Sequence, residues 1–139
     1  MKIVIDNNVI IDALLKRSPF NEAAEQVLLY CANKHEGCLT ANSLTDIFYV
    51  LRKTTDAVTA KASVKKLLGL LITLSIDDED CLNAISLPID DFEDALIVEC
   101  ARKAKADFIV TRDKLLLRTA APIKIISPDA LVEILTTKA

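Results

Sequence analysis

Short apolar runs alternate with helix-length stretches along all 139 residues, and few folds accept that alternation. Lys2 to Ile5, Cys38 to Thr40, Ile72 to Ile76, Phe108 to Thr111 and Ile123 to Ile126 read as strands. Helices are expected between them. One covers Val9 to Leu15, and a second covers Phe20 to about Asn33, with Ser18 as N-cap, Pro19 in its first turn and a break at His35-Glu36-Gly37. Others start at the cap Asn42 or Ser43, at Ala57, at the cap Asp77, near Asp90-Asp91, at Arg112 and after Ser127-Pro128. Strands separated by helices imply an α/β fold with a mostly parallel, right-handed sheet. With no linker, repeat or low-complexity stretch in view, residues 1–139 read as a single domain.

Four acids punctuate this pattern. Asp6 ends the first strand, Asp113 follows the fourth, and Asp46 and Asp94 lie near the starts of helices. In an open parallel sheet, the carboxyl ends of strands and the starts of the following helices share one edge, so acids distant in sequence can meet there. Each also has a plainer reading. Asp6 could cap the helix at Val9 and Asp46 could sit in an ordinary helical first turn. Asp113 could form a surface ion pair with Arg112 or Lys114. If Asp90 is an N-cap, Glu93 completes a capping box, leaving Asp91 and Asp94 three apart on one helical face. Asp94 abuts the apolar run Ala95 to Val98, where an unpaired acid is costly, and it is the better functional candidate. Asp12, Asp56, Asp77 to Asp80, Asp107 and Asp129 read as solvated or capping acids.

Composition narrows the chemistry. Two glycines cannot build a dinucleotide fingerprint or a P-loop. Four dispersed cysteines and one histidine, His35, do not make a zinc site and read as free thiols. A net charge of −3 confines any nucleic-acid contact to local patches. The longest uncharged run, Leu67 to Ile76, is far shorter than a membrane span. A soluble cytoplasmic protein without membrane contact is expected. Several carboxylates without nitrogen or sulfur partners suit a hard cation, Mg²⁺ or Mn²⁺, and metal-assisted phosphodiester hydrolysis.

In Ile5-Asp6-Asn7-Asn8-Val9-Ile10, the helix Ser43 to Lys53, Asp91-Phe92-Glu93-Asp94-Ala95-Leu96 and Ile109-Val110-Thr111-Arg112-Asp113, the chain resembles PIN-domain ribonucleases of the VapC toxin type. The resemblance implies a three-layer α/β/α sandwich around the parallel sheet. It also implies an acidic pocket for Mg²⁺ or Mn²⁺, an RNA substrate, an antitoxin partner and a homodimer. Asp6, Asp94 and Asp113 match family acids, Asp91 matches an extra acid of one branch, and Asp46 stands where many members have glutamate. Asn8 matches an asparagine that supports the first acid. Asn7 replaces a common threonine or serine, and Lys114-Leu115-Leu116 replaces a frequent acid and phenylalanine. Arg52, Lys53, Arg112 and Lys114 are the candidate RNA contacts. The competing reading is a catalytically weak PIN module serving as a binding scaffold. An α/β phosphatase using Asp6 as nucleophile fits poorly, because Asn8 stands where that chemistry wants a second aspartate.

Overall fold

The computed structural model of the protein describes residues 1–34 and 36–137. Five strands, β1 (Ile3–Ile5), β2 (Gly37–Thr40), β3 (Ile72–Leu74), β4 (Phe108–Val110) and β5 (Lys124–Ile126), form a parallel sheet in the order β3-β2-β1-β4-β5. The chain steps outward from β1 to β3, then returns across β1 to lay down β4 and β5. The order therefore reverses between β1 and β4, and the crevice outside their carboxyl ends is where such sheets bind ligands.

Among the described residues, the helices are α1 (Asn7–Leu14), α2 (Asn21–Lys34), α3 (Ser43–Thr54), α4 (Ala57–Leu70), α5 (Asp78–Ile85), α6 (Phe92–Lys103), α7 (Lys114–Leu117) and α8 (Pro128–Thr137). Successive strand side chains point to opposite faces. Ile3 and Ile5 join Leu39 and Val110 in a core with α1, α2, α3, α4 and α8. Val4, Cys38 and Ile109 face the other way, onto Ile97, Val98 and Ala101 of α6 and Leu116 of α7. The result is the expected α/β/α sandwich.

Local chemistry departs from expectation in places. The chain turns at Ser18 to Phe20, with a cis Ser18–Pro19 peptide, so α2 starts at Asn21 without the expected Ser18 cap. Asp91, not Asp90, caps α6, accepting from Asp94 N at 3.0 Å. The expected break at His35 lies outside the described residues, and Gly37 belongs to β2. Asp80 does form a capping box with Asp77, yet it is buried and pairs with Lys103 at 2.6 Å. Glu99, also buried, accepts two bonds from Arg102 and one from Asn83, further tying α5 to α6. All four cysteines are free. Burial pushes the Cys31 thiol up to about 12 and Cys100 up to about 11, which suits inert core residues.

Gly37 marks a close approach between β2 and α2. A Cβ there would collide with the Cβ of Cys31, which cannot rotate away, and would come within 2.9 Å of Leu71 Cδ2. Gly37→Ala is expected to destabilise by about 2 kcal/mol through overpacking, read as a lower denaturation midpoint at an unchanged slope.

Candidate active site

Three of the acids start helices at one edge of the sheet. Asp6 follows β1 and caps α1, its Oδ1 accepting from Asn7 N at 2.8 Å. Asp113 follows β4 and caps α7, accepting from Leu115 N at 2.8 Å and Leu116 N at 3.4 Å. Asp91 caps α6, and Asp94 stands in the first turn of that helix. Positive helix ends partly offset the gathering of negative charge. The capping reading of Asp6 therefore holds together with its approach to Asp113, which caps a helix where a surface ion pair is the plainer expectation.

Hydrogen bonds lock the β1 and β4 ends to each other. Buried Thr111 donates to Asp6 Oδ2 at 2.8 Å and accepts from Asp113 N at 3.0 Å. Asn8 Nδ2 bridges Asp6 Oδ2 and Thr111 Oγ1 at 3.1 and 3.2 Å, while its Oδ1 accepts from Arg112 N at 3.4 Å. Asn8 thus ties the Asp6 carboxylate to Thr111. Asn7, the departure from the usual hydroxyl, donates through Nδ2 to Asp46 Oδ2 at 3.2 Å and joins α1 to α3. Asp46 lies within the first turn of α3.

The acids feel one another. Burial raises the Asp6 carboxyl, opposed by its bonds to Thr111 and Asn7 and reinforced by Asp113 and Asp91. Asp94 is pushed up to about 6, first by burial and then by Asp91, Asp113, Asp6 and Glu93. Glu93 is raised by burial and then by Asp46, Asp91 and Asp6, so it adds to this field instead of closing the expected capping box. Among the described residues, the Asp94 carboxylate and the second oxygens of Asp91 and Asp113 accept no hydrogen bond. An all-oxygen donor set with crowded, unspent carboxylates fits a hard divalent cation. No three of these side chains, among the described residues, already form a cage.

The expected cations are distributed differently. Arg112 turns away from Asp113 and clamps Asp12, Nε to Oδ2 at 2.5 Å and Nη2 to Oδ1 at 3.1 Å, with its guanidinium 4.2 Å from the Phe20 ring centroid. The guanidinium expected to contact phosphate is thus engaged by Asp12, which at 1% exposed is a buried ion-pair partner and not a solvated acid. Lys114 stays exposed beside Asp113. Arg52 and Lys53 are exposed in the last turn of α3, roughly 9–10 Å along the axis from Asp46. Arg118, which the sequence pattern did not single out, lines a cleft of about 390 Å³ together with Asp90, Asp91 and Asp94. Its signal was its place at the far end of α7, whose other end is Asp113.

A family profile described as PIN domain matches residues 2–115. The fold is similar to a chain of the DNA-bound VapBC of Salmonella typhimurium, at 17% identity and TM-score 0.69 over 92% of this chain and 98% of that one. It is similar to a chain of a toxin–antitoxin complex from Klebsiella pneumoniae, at 15% identity and TM-score 0.71 over 91% and 98%. A chain of FitAcB from Neisseria gonorrhoeae matches at 18% identity and TM-score 0.61 over 91% and 97%. No curated protein matches the sequence.

Proposed function

The chain belongs to the PIN domain family, and from that premise we propose that it is a Mg²⁺- or Mn²⁺-dependent endoribonuclease, the toxin of a toxin–antitoxin pair. The observation that carries the reading is the mutual electrostatic coupling of Asp6, Asp91, Asp94 and Asp113 near the β1–β4 switch point, where burial first, and these neighbours after it, raise Asp94 to about 6. The fold likeness to chains of VapBC and another toxin–antitoxin complex supports an antitoxin partner. A homodimer and a cytoplasmic location follow from the family resemblance, and no helix among the described residues is long and apolar enough to cross a membrane.

Asp6, Asp94 and Asp113, with Asp91 beside them, would hold the cation. Such an ion, when bound, neutralises phosphodiester charge and acidifies a water. Thr111 and Asn8 hold Asp6 in one rotamer, and Thr111 also fixes the Asp113 backbone. Asp46, steadied by Asn7, orients the attacking water and takes its proton. Hydrolysis adds that oxygen to phosphorus, breaks one P–O ester bond and leaves a proton on the departing oxygen. Lys114, and farther out Arg52 and Lys53, supply charge for flanking phosphates.

The test is cleavage of a mixed set of RNAs in Mn²⁺ by wild type and Asp6→Asn, with and without chelator. Asparagine still caps α1, so lost activity reports the carboxylate and not the helix. Cleavage that chelator and substitution both abolish is expected. Cleavage that survives either one refutes this assignment. The missing ready-made cage, with Lys114-Leu115-Leu116 after the last acid, favours one rival, a weakly catalytic binding scaffold. That rival binds Mn²⁺ poorly and cleaves nothing.

A further inference from the structure

The cleft between α6 and α7 pairs features that the metal site does not need. Asp91 and Asp94 line one side of it, Leu115 and Arg118 line the other, and Pro88 and Ile89 contribute apolar surface. Arg118 shares this cleft with three carboxylates, yet among the described residues it forms no ion pair. Leu115 is 71% exposed, although its neighbour Leu116 is fully buried and anchors the same turn. An unpaired guanidinium and an uncovered leucine thus share a recess bordering the acids.

The geometry points to a nucleotide subsite: Arg118 binds the phosphate of one unpaired RNA nucleotide, and Leu115 packs against its base or ribose. This rests on the ribonuclease reading and adds which part of the substrate is gripped, and in what state. Arg118 Nη and Nε atoms offer the planar fork that matches phosphate oxygens. The protein otherwise presents negative charge here, so a phosphate lacking this cation would meet only Asp90, Asp91 and Asp94. α7 sets the spacing. Asp113 caps its start and the Arg118 N–H bonds back to Leu115 O and Leu116 O at its end. The metal-side acid and the phosphate-side cation are therefore held roughly 7 Å apart along one short helix, on the scale of a nucleotide. The recess accepts a base only if that base leaves its stack, which selects loops and single strands over continuous duplex.

The full chain is tested by fluorescence anisotropy in Mg²⁺, using a short labelled RNA as a single strand or annealed to its complement. An Asp46→Asn background suppresses cleavage without removing a carboxylate assigned to the cation. Arg118→Gln is expected to weaken single-strand binding roughly tenfold and to reduce the slope of log affinity against log salt by about 0.7, one phosphate contact. Arg118→Lys keeps the slope. Leu115→Asp weakens binding roughly five- to tenfold, and the duplex binds more weakly than the single strand. Arg118 and Leu115 are exposed, so these variants fold. Unchanged affinity and slope in Arg118→Gln overturn the subsite, as does duplex binding with the same Arg118 dependence, or no RNA binding at all. The two readings fail separately. Arg118-dependent binding by a protein whose wild type cleaves nothing sinks only the hydrolysis, and cleavage with Arg118-independent binding sinks only the subsite.

Discussion

Asp94→Asn lowers RNA hydrolysis roughly a thousandfold or more, while the metal-free fold becomes more stable. Both effects have one origin. Burial and the carboxylates of Asp91, Asp113, Asp6 and Glu93 raise Asp94 to about 6. A carboxyl raised in the folded state binds its proton more tightly there than in the unfolded chain, where the value is about 4. Stability therefore falls as pH rises from about 4 to about 6, and above that range the whole penalty is present. Asparagine removes it. Because Asp94 is partly solvated, the gain at about pH 7.5 is screened to about 1 kcal/mol, or about 3 °C in Tm for a chain of this size. Near pH 4 the two proteins converge. Adding Mn²⁺ reverses the order at neutral pH, since the wild type gains a bound ion and the variant loses a ligand. Thermal unfolding at two pH values, with and without Mn²⁺, reads all of this. A metal-free variant less stable than wild type at neutral pH would show that Asp94 does not sit in an uncompensated acidic field.

That convergence of acids was legible in the sequence because it follows from topology. Once Lys2 to Ile5 and Phe108 to Thr111 are parallel strands, Asp6 and Asp113 emerge at the same edge whatever the details of packing. The α/β/α layering follows equally from the alternation of apolar runs and helical periods. Local punctuation was less legible. Asp90 and Asp91 are equally good caps by type, and it is Asp91 whose side chain accepts from Asp94 N at the start of α6. Ser18 and Pro19 carry the chemistry of a helix start, but they lie in the turn that precedes α2. Least legible were the partners of charges. Arg112 has Asp113 next to it in sequence and Asp12 a hundred residues away, and no local rule prefers the distant acid. Burial does, because Asp12 faces inward from α1 and requires a cation. Once Arg112 is committed there, the exposed cations near the acids include Arg118 as well as Lys114, and Arg118 is placed by α7 and not by adjacency to a motif.

Arg112→Gln is expected to destabilise the protein by about 3 kcal/mol, because it leaves the Asp12 carboxylate buried without its charge partner. That corresponds to about 10 °C in Tm. Arg112→Lys recovers only part of the loss. A lysine ammonium is a point charge that cannot reproduce the two-oxygen clamp on Asp12 and the planar contact with Phe20 together. The double variant Asp12→Leu/Arg112→Met recovers most of it, since apolar replacement of both members of a buried pair is often nearly neutral. The double variant also separates the two roles open to Arg112. If the guanidinium serves only to tie the β4 end to α1, the repacked protein binds RNA with its wild-type salt slope. If Arg112 grips phosphate as its place beside Asp113 suggested, stability returns while the slope falls by about 0.7. The structure favours the first outcome, because both Asp12 oxygens and the Phe20 face already occupy the guanidinium, and a phosphate would have to displace a buried carboxylate to reach it.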